Sequence, residues 1–167
     1  MARRFKSTRG GMRVTLAEPE LEWLRRLPDD LRAMLSSRNA GPDDAVMTRL
    51  FPRAYLDPTE EQAERDWEEF VQPELLRERL AALELLRESL DRAKPAKGDL
   101  LEIVLVDDEV SAWLGVLNDT RLVLGIQLGV TEETDYEQLD PEDPNTPIYE
   151  VYYWLTSLQG ELVDELL

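Results

Sequence analysis

The chain has 167 residues and a net charge of −17, with 43% hydrophobic and 33% charged residues, a balance that suits one globular domain. It contains no cysteine and no histidine, which excludes thiol chemistry and removes the commonest general base and metal ligand. The negative charge opposes nucleic-acid binding, which depends on neutralising phosphates with Lys and Arg. We therefore expect a protein that is not an enzyme and holds no metal or cofactor.

The chain should also be soluble and cytoplasmic. Its apolar stretches are far shorter than the roughly 20 residues that a membrane span requires. The basic start of the chain lacks the apolar run of a secretory signal. We expect no membrane contact.

Residues 1–16 predict a small β-hairpin. Gly10 and Gly11 supply the positive φ values of a tight turn, and Met12, Val14 and Leu16 alternate with polar residues as in a half-buried strand. This segment carries five basic residues and no acidic one.

Residues 17–128 predict a helical core. Pro28 should kink or interrupt the first helix near its middle, and residues 39–42 should form a loop. Residues 101–106 predict a brief strand or an extended lead-in to a helix at about 108–128. The core therefore contains several helices joined by short connections.

The end of the chain predicts an acidic surface loop over residues 129–147 and a last helix over 148–167. Pro141, Pro144 and Pro147 prevent regular structure in the loop. Residues 129–150 carry eight acidic residues and no basic one. The whole chain, 1–167, is predicted to be one mainly α domain of about five to six helices with an N-terminal β-hairpin.

The apolar stripe of the 108–128 helix is interrupted by Arg121. Helical projection places Arg121 on the same side as Val110 and Leu128, where a guanidinium requires a carboxylate or carbonyl partner. Asn118 and Asp119 complete a predicted buried polar network. A structural ion pair is one interpretation, and an arginine that recognises a ligand in a pocket is the other.

The last helix is apolar over more than half of its circumference, which predicts contacts on two sides. Tyr149, Tyr153 and Trp154 are interface candidates, since interfaces favour Tyr and Trp. Burial within the same chain is the alternative. The uneven distribution of charge adds a second set of interface candidates in the basic residues at the start of the chain. These residues can bind an acidic partner, or the acidic region of another copy in a head-to-tail arrangement. These residues are Arg3, Arg4 and Arg13.

Three segments resemble a known family. Residues 112–125 are similar to its A-W-x-x-x-x-N-D-x-R-L-x-L-G pattern, residues 152–159 to its Y-x-W-L-T-x-L-Q helix, and residues 49–55 to its R-L-x-P-x-x-Y turn. The family is an actinobacterial domain of unknown function, and some of its members are described as oxidative-stress regulators. The resemblance spans nearly the whole chain in order.

The resemblance implies a cytoplasmic accessory regulator linked to cysteine biosynthesis and the oxidative-stress response. Members so described are thought to sense oxidants through a C-x-x-x-C pair and to act with an alternative sigma factor. This chain departs from that pattern, because it has no cysteine.

We therefore predict a regulatory or protein-interaction module without a thiol switch. Its expected partner is another protein, for example a transcription factor such as a sigma factor, and a homodimer is a further expectation. The alternative is a small-molecule binding protein or unrecognised enzyme with a pocket around Arg121.

Overall fold

A computed structural model describes residues 3–36 and 44–167, and it confirms the predicted mainly α fold with an N-terminal hairpin. The predicted loop at 39–42 lies outside the described residues. The strands are β1 Phe5–Thr8, β2 Gly11–Ala17, β3 Lys94–Pro95 and β4 Leu100–Leu105. The helices are α1 Glu18–Ser36, α2 Ala45–Leu50, α3 Glu61–Phe70, α4 Gln72–Leu90, α5 Asp107–Leu128 and α6 Thr146–Leu166. Two short 3-10 turns occupy Pro58–Glu60 and Tyr136–Gln138.

The hairpin belongs to a larger antiparallel sheet with the strand order β1-β2-β4-β3. Strand β4 pairs with β2 along its whole length, from Met12 opposite Leu105 to Ala17 opposite Leu100. The segment predicted as a brief strand is therefore a central strand, and the predicted helical core also includes β3 and β4. One face of the sheet is buried against the helices because its apolar residues alternate with polar ones.

Helix α5 is the centre of the helical layer and packs against α4 and α6. Its Trp113 is fully buried and meets the ring of Phe5 edge-on, with ring centroids 6.4 Å apart. The Trp113 indole N–H donates to the Ser89 hydroxyl at 2.9 Å. A single aromatic side chain thus joins the hairpin, α4 and α5.

Pro28 does not interrupt α1, which continues from Glu18 to Ser36. The pyrrolidine ring removes one backbone hydrogen bond, but it is buried among the apolar side chains of the core. Burial of this ring helps to offset the lost bond. Among the described residues, no helix is both long and apolar enough to cross a membrane.

Candidate functional site

Arg121 lies half-buried at the contact between α5 and α6. Its Nε donates to the Thr156 hydroxyl at 2.9 Å and its Nη1 donates to the Gln159 side-chain oxygen at 2.5 Å. The guanidinium carbon also stands 5.9 Å from the centre of the Tyr152 ring. The expected carbonyl partner is therefore an amide oxygen on the neighbouring helix.

Helical projection predicted that Arg121 interrupts the apolar stripe of α5 and so lies on its buried face, but Arg121 is not at the centre of that face. That face runs through Trp113, Val116 and Thr120, and Arg121 stands at its edge. The projection misplaced the centre because α5 packs against helices on two sides, so apolar residues cover most of its circumference.

Asp119 occupies a different side of α5 and accepts a hydrogen bond from Arg79 Nε at 3.1 Å. The Arg79 guanidinium lies over the ring of Phe51, 4.8 Å from its centre. Burial raises the pKa of Asp119, although the charge of Arg79 opposes that shift. Asn118 lies beside Asp119 in a shallow depression between α4 and α5.

The predicted network of Asn118, Asp119 and Arg121 is therefore divided between two helix contacts. Residues 119 and 121 are two positions apart, which places their side chains about 200° from each other around a helix. Asp119 faces α4, whereas Arg121 faces α6.

These contacts join the three segments on which the family resemblance depends. Arg121, in residues 112–125, bonds to residues 152–159 through Thr156 and Gln159. Asp119 accepts a hydrogen bond from Arg79, and the Arg79 guanidinium lies over the ring of Phe51, in residues 49–55. The polar residues of the three segments therefore hold helices together.

The tyrosines of α6 make contacts within the chain. The Tyr149 hydroxyl donates to the backbone carbonyl of Leu128 at 2.9 Å, which ties the start of α6 to the end of α5. Tyr153 is half-buried and meets the Tyr152 ring edge-on, with centroids 6.3 Å apart. Both residues are thus at least partly covered by their own chain.

Trp154 and Arg4 meet at one carboxylate that the sequence did not single out. The Trp154 indole N–H donates to Glu20 Oε1 at 3.0 Å, and the same oxygen accepts a hydrogen bond from Arg4 at 2.8 Å. Arg4 also pairs with Glu161 at 2.6 Å. The sequence signal at Glu20 was only that of an acidic residue in the first turn of a helix.

The other two arginines predicted as interface candidates also have acidic partners. Arg3 lies 3.7 Å from Glu165 and its side chain remains 86% exposed. Arg13 lies 3.5 Å from Glu102 on the open face of the sheet. Acidic side chains of the same chain therefore already offset part of the charge predicted to attract a partner.

An apolar groove opens between α1, α5 and the start of α6, with a volume of about 390 Å³. We call it the α1–α5–α6 groove. Its apolar walls include Trp23, Leu27, Leu31, Val123, Leu124 and Ile148. Leu27, Leu31 and Val123 form a buried floor, whereas Trp23 is 45% and Ile148 is 41% exposed.

Sequence reasoning missed this groove because it assigned the same residues to the inner faces of separate helices. The available signal was the excess of apolar positions on α5 and α6. Arg121 is not among the residues that line the groove. The groove is therefore distinct from the pocket that the sequence placed around that arginine.

An acidic segment, residues 131–143, lies in the connection between α5 and α6, and Gln127 and Pro147, on either side of this segment in the chain, line the groove. The side chains of Asp135, Asp140 and Asp143 accept hydrogen bonds from backbone N–H groups two residues further on. In the part of the chain that the structure describes, no ion pair uses an acid of this segment, so its charge is not neutralised.

The described residues contain no arrangement for metal chemistry. Within residues 3–36 and 44–167, no group of three or more acidic side chains is placed to hold a metal ion. The groove offers apolar contact area together with a few polar groups, such as Asp30 and Thr120. Such a surface is suited to binding, and its shape and charge decide what it binds.

The fold and these contacts define a mainly helical domain whose recognisable segments are joined by polar contacts between helices. The chain belongs to the family described as a domain of unknown function, DUF2017, which it matches over residues 2–166. This result confirms the family resemblance.

Named relatives come from mycobacteria. Proteins of Mycobacterium tuberculosis and Mycobacterium bovis, each named oxidative stress regulator AosR, are 27% identical over 197 residues, covering 98% of this chain and 87% of the relative. A Mycobacterium leprae protein named putative oxidative stress regulator AosR is 28% identical over 137 residues, covering 75% of this chain and 60% of the relative. No solved structure matches the chain.

Proposed function

We propose that this protein is a non-catalytic regulator that acts by binding another protein. Relatives named oxidative stress regulators support a regulatory role. The observation that carries the binding role is the α1–α5–α6 groove, where Trp23 and Ile148 stand exposed above a buried apolar floor. Exposed aromatic and aliphatic residues around such a concave surface are typical of interaction sites.

The regulation does not use a thiol switch in this chain. Without cysteine, neither a disulfide nor a sulfenic acid can form on it. An oxidant signal therefore reaches the complex by a route other than a cysteine of this chain.

A structural role for Arg121 favours the regulator over the alternative of a ligand-binding protein or enzyme. The guanidinium already bonds to Thr156 and Gln159 and stacks on Tyr152. A ligand at this position would have to replace those contacts.

The partner that we propose is a cytoplasmic transcription factor, such as a sigma factor. The family resemblance suggests this class, and the net charge of −17 is complementary to a basic protein surface. The same charge disfavours binding to DNA itself. Self-association into a homodimer is a separate proposal, which sedimentation equilibrium tests directly.

Affinity capture from an extract of the source organism, at low and at high salt, tests the proposed function. Mass spectrometry should identify one specific protein, and calorimetry with the purified pair should show saturable binding. Treating this protein alone with diamide, a thiol oxidant, should leave that binding unchanged. Recovery of only abundant proteins at both salt concentrations would contradict the proposal, as would turnover of a small molecule by the purified chain.

A further inference from the structure

We propose that the α1–α5–α6 groove binds a basic amphipathic helix of the partner protein. The apolar face of that helix occupies the groove, and its basic residues contact the acidic segment, residues 131–143. This inference rests on the proposed function and deepens it, since it names the surface and the kind of partner.

The shape of the groove fits a helix. Along α1 the lining residues extend from Trp23 to Met34, which is about 16 Å at 1.5 Å per residue. A partner helix of about three turns has the same length and presents apolar anchors at i, i+3, i+4 and i+7. The floor of Leu27, Leu31 and Val123 is already buried, so the anchors would mainly cover Trp23 and Ile148.

The charges of the segment that connects α5 and α6, two walls of the groove, indicate a basic occupant. Residues 129–150 contain eight acidic residues and no basic residue. The side chains of Glu132, Glu133, Glu137 and Glu142 are exposed. A basic helix would gain electrostatic attraction there, whereas a second copy of this chain would bring the same acidic segment and be repelled.

The charged residues of α1 next to the groove are of both signs. Arg26 lies over the Trp23 ring at 5.7 Å, and Asp30 lines the groove on the same helix. The α1 wall is therefore nearly neutral, and the negative charge is concentrated in residues 131–143. We infer that the basic residues of the bound helix lie on the side that faces the acidic segment.

A labelled model peptide tests the surface before the partner is known. The probe is a peptide of about 18 residues, or five turns, with Leu at helical spacing on one face and Lys elsewhere. Fluorescence anisotropy measures its affinity for the full chain. One control peptide has the same composition in scrambled order, and another has Glu in place of Lys. We expect binding of the amphipathic basic peptide to be at least about tenfold tighter than that of either control.

Variants of the groove then locate the bound peptide. Trp23→Ala and Ile148→Glu should weaken binding by about tenfold, because both remove exposed apolar surface that the peptide would cover. Matched controls change exposed apolar residues elsewhere: Phe70→Ala at the end of α3 and Val104→Glu on the open face of the sheet. The peptide affinity of these control variants should stay within about twofold of that of the wild type. Circular dichroism tests whether each variant is folded. A further variant, Ala33→Arg, changes an exposed position in the groove wall and should block peptide binding by filling the groove.

Neutralising the acidic segment tests the charge component. Changing Glu132, Glu133, Glu137 and Glu142 to Gln should weaken peptide binding by about threefold to tenfold and flatten its salt dependence. A control set with the same charge change uses exposed acids of α3, α4 and the turn before α3. These are Glu60, Glu68, Glu69 and Glu78. The control set should leave the peptide affinity and its salt dependence nearly unchanged.

Several results would overturn the inference. Equal binding of the scrambled peptide, or equal effects of the groove and control variants, would exclude a helix-binding groove. Self-association abolished by Trp23→Ala would make the groove a contact between two copies instead. A captured partner that binds wild type and groove variants equally would refute this inference while leaving the proposed function intact. If no partner is captured, the proposed function itself fails.

Discussion

Replacing Gly11 with alanine should destabilise the fold strongly. Gly11 opens β2 with φ +131°, a conformation that residues with a side chain rarely adopt. An added Cβ would lie 2.0 Å from the carbonyl oxygen of Leu105 and 3.0 Å from its carbonyl carbon. Both atoms belong to the backbone of β4, so no side-chain rotation can relieve the overlap.

The size of the effect follows from two costs. The unfavourable φ costs about 1–3 kcal/mol. Moving β2 away from β4 disturbs the pairing of Met12 with Leu105, and each backbone hydrogen bond lost there costs roughly 1 kcal/mol. Together these give about 3–5 kcal/mol, a large part of the 5–15 kcal/mol of a typical domain. For a chain of this size, the Tm should fall by about 6–20 °C.

Gly10 provides the matched control, because it precedes Gly11 in the hairpin turn and has no atom within 4 Å of an added Cβ. The positive φ that the sequence predicted for both glycines is present at Gly11 and not at Gly10. Gly10→Ala should change the free energy of unfolding by only about 0.5 kcal/mol. Urea unfolding followed by circular dichroism measures both variants. Equal stability of Gly10→Ala and Gly11→Ala would refute the reasoning, because the close approach of β4 would then carry no cost.

Three other contacts give measurable expectations. Arg121→Met and Gln159→Ala should each lower the free energy of unfolding by about 1–2 kcal/mol. A double-mutant cycle should show a coupling energy of about 1 kcal/mol between the two residues. Additive effects would argue against a stabilising hydrogen bond between Arg121 and Gln159. Burial raises the pKa of Asp119 above the ordinary value of an aspartate, so the folded state holds that proton more tightly than the unfolded chain does. Stability of the wild type relative to Asp119→Asn should therefore increase as the pH is lowered from neutral towards 4, and a decrease would contradict the shift. Glu20→Gln should lower the free energy of unfolding by about 1–2 kcal/mol, and by more at low salt. Glu22→Gln, at an exposed position on the same helix, should leave the free energy of unfolding almost unchanged in the same urea titrations.

Local patterns predicted most of the elements. The glycine pair and the alternation from Met12 to Leu16 predicted the hairpin, and apolar periodicity predicted the long helices α5 and α6. Both signals come from neighbouring residues, which is why they are readable without a fold. The same reasoning was less successful at β4, because a strand at the centre of a sheet is defined by its pairing with a strand far away in the chain.

The polar residues show where local reasoning ends. The sequence predicted that Arg121 needs a carbonyl or carboxylate partner, and the structure supplies Gln159 on another helix. It grouped Asp119 with Arg121, yet Asp119 bonds to Arg79, 40 positions earlier in the chain. The cost of leaving a charge unpaired in the interior is a property of the residue, but the identity of its partner depends on which helices become neighbours.

The amino-acid sequence by itself determined the helical class, the hairpin, the family and the exclusion of thiol and imidazole chemistry. Tertiary structure alone decided why Gly11 rather than Gly10 is essential, which arginine pairs with which acid, and that Trp23 and Ile148 meet across one groove. The physical reason is the range of the interactions. Periodicity and composition are set by adjacent residues, whereas a groove exists only where side chains from three separated helices converge.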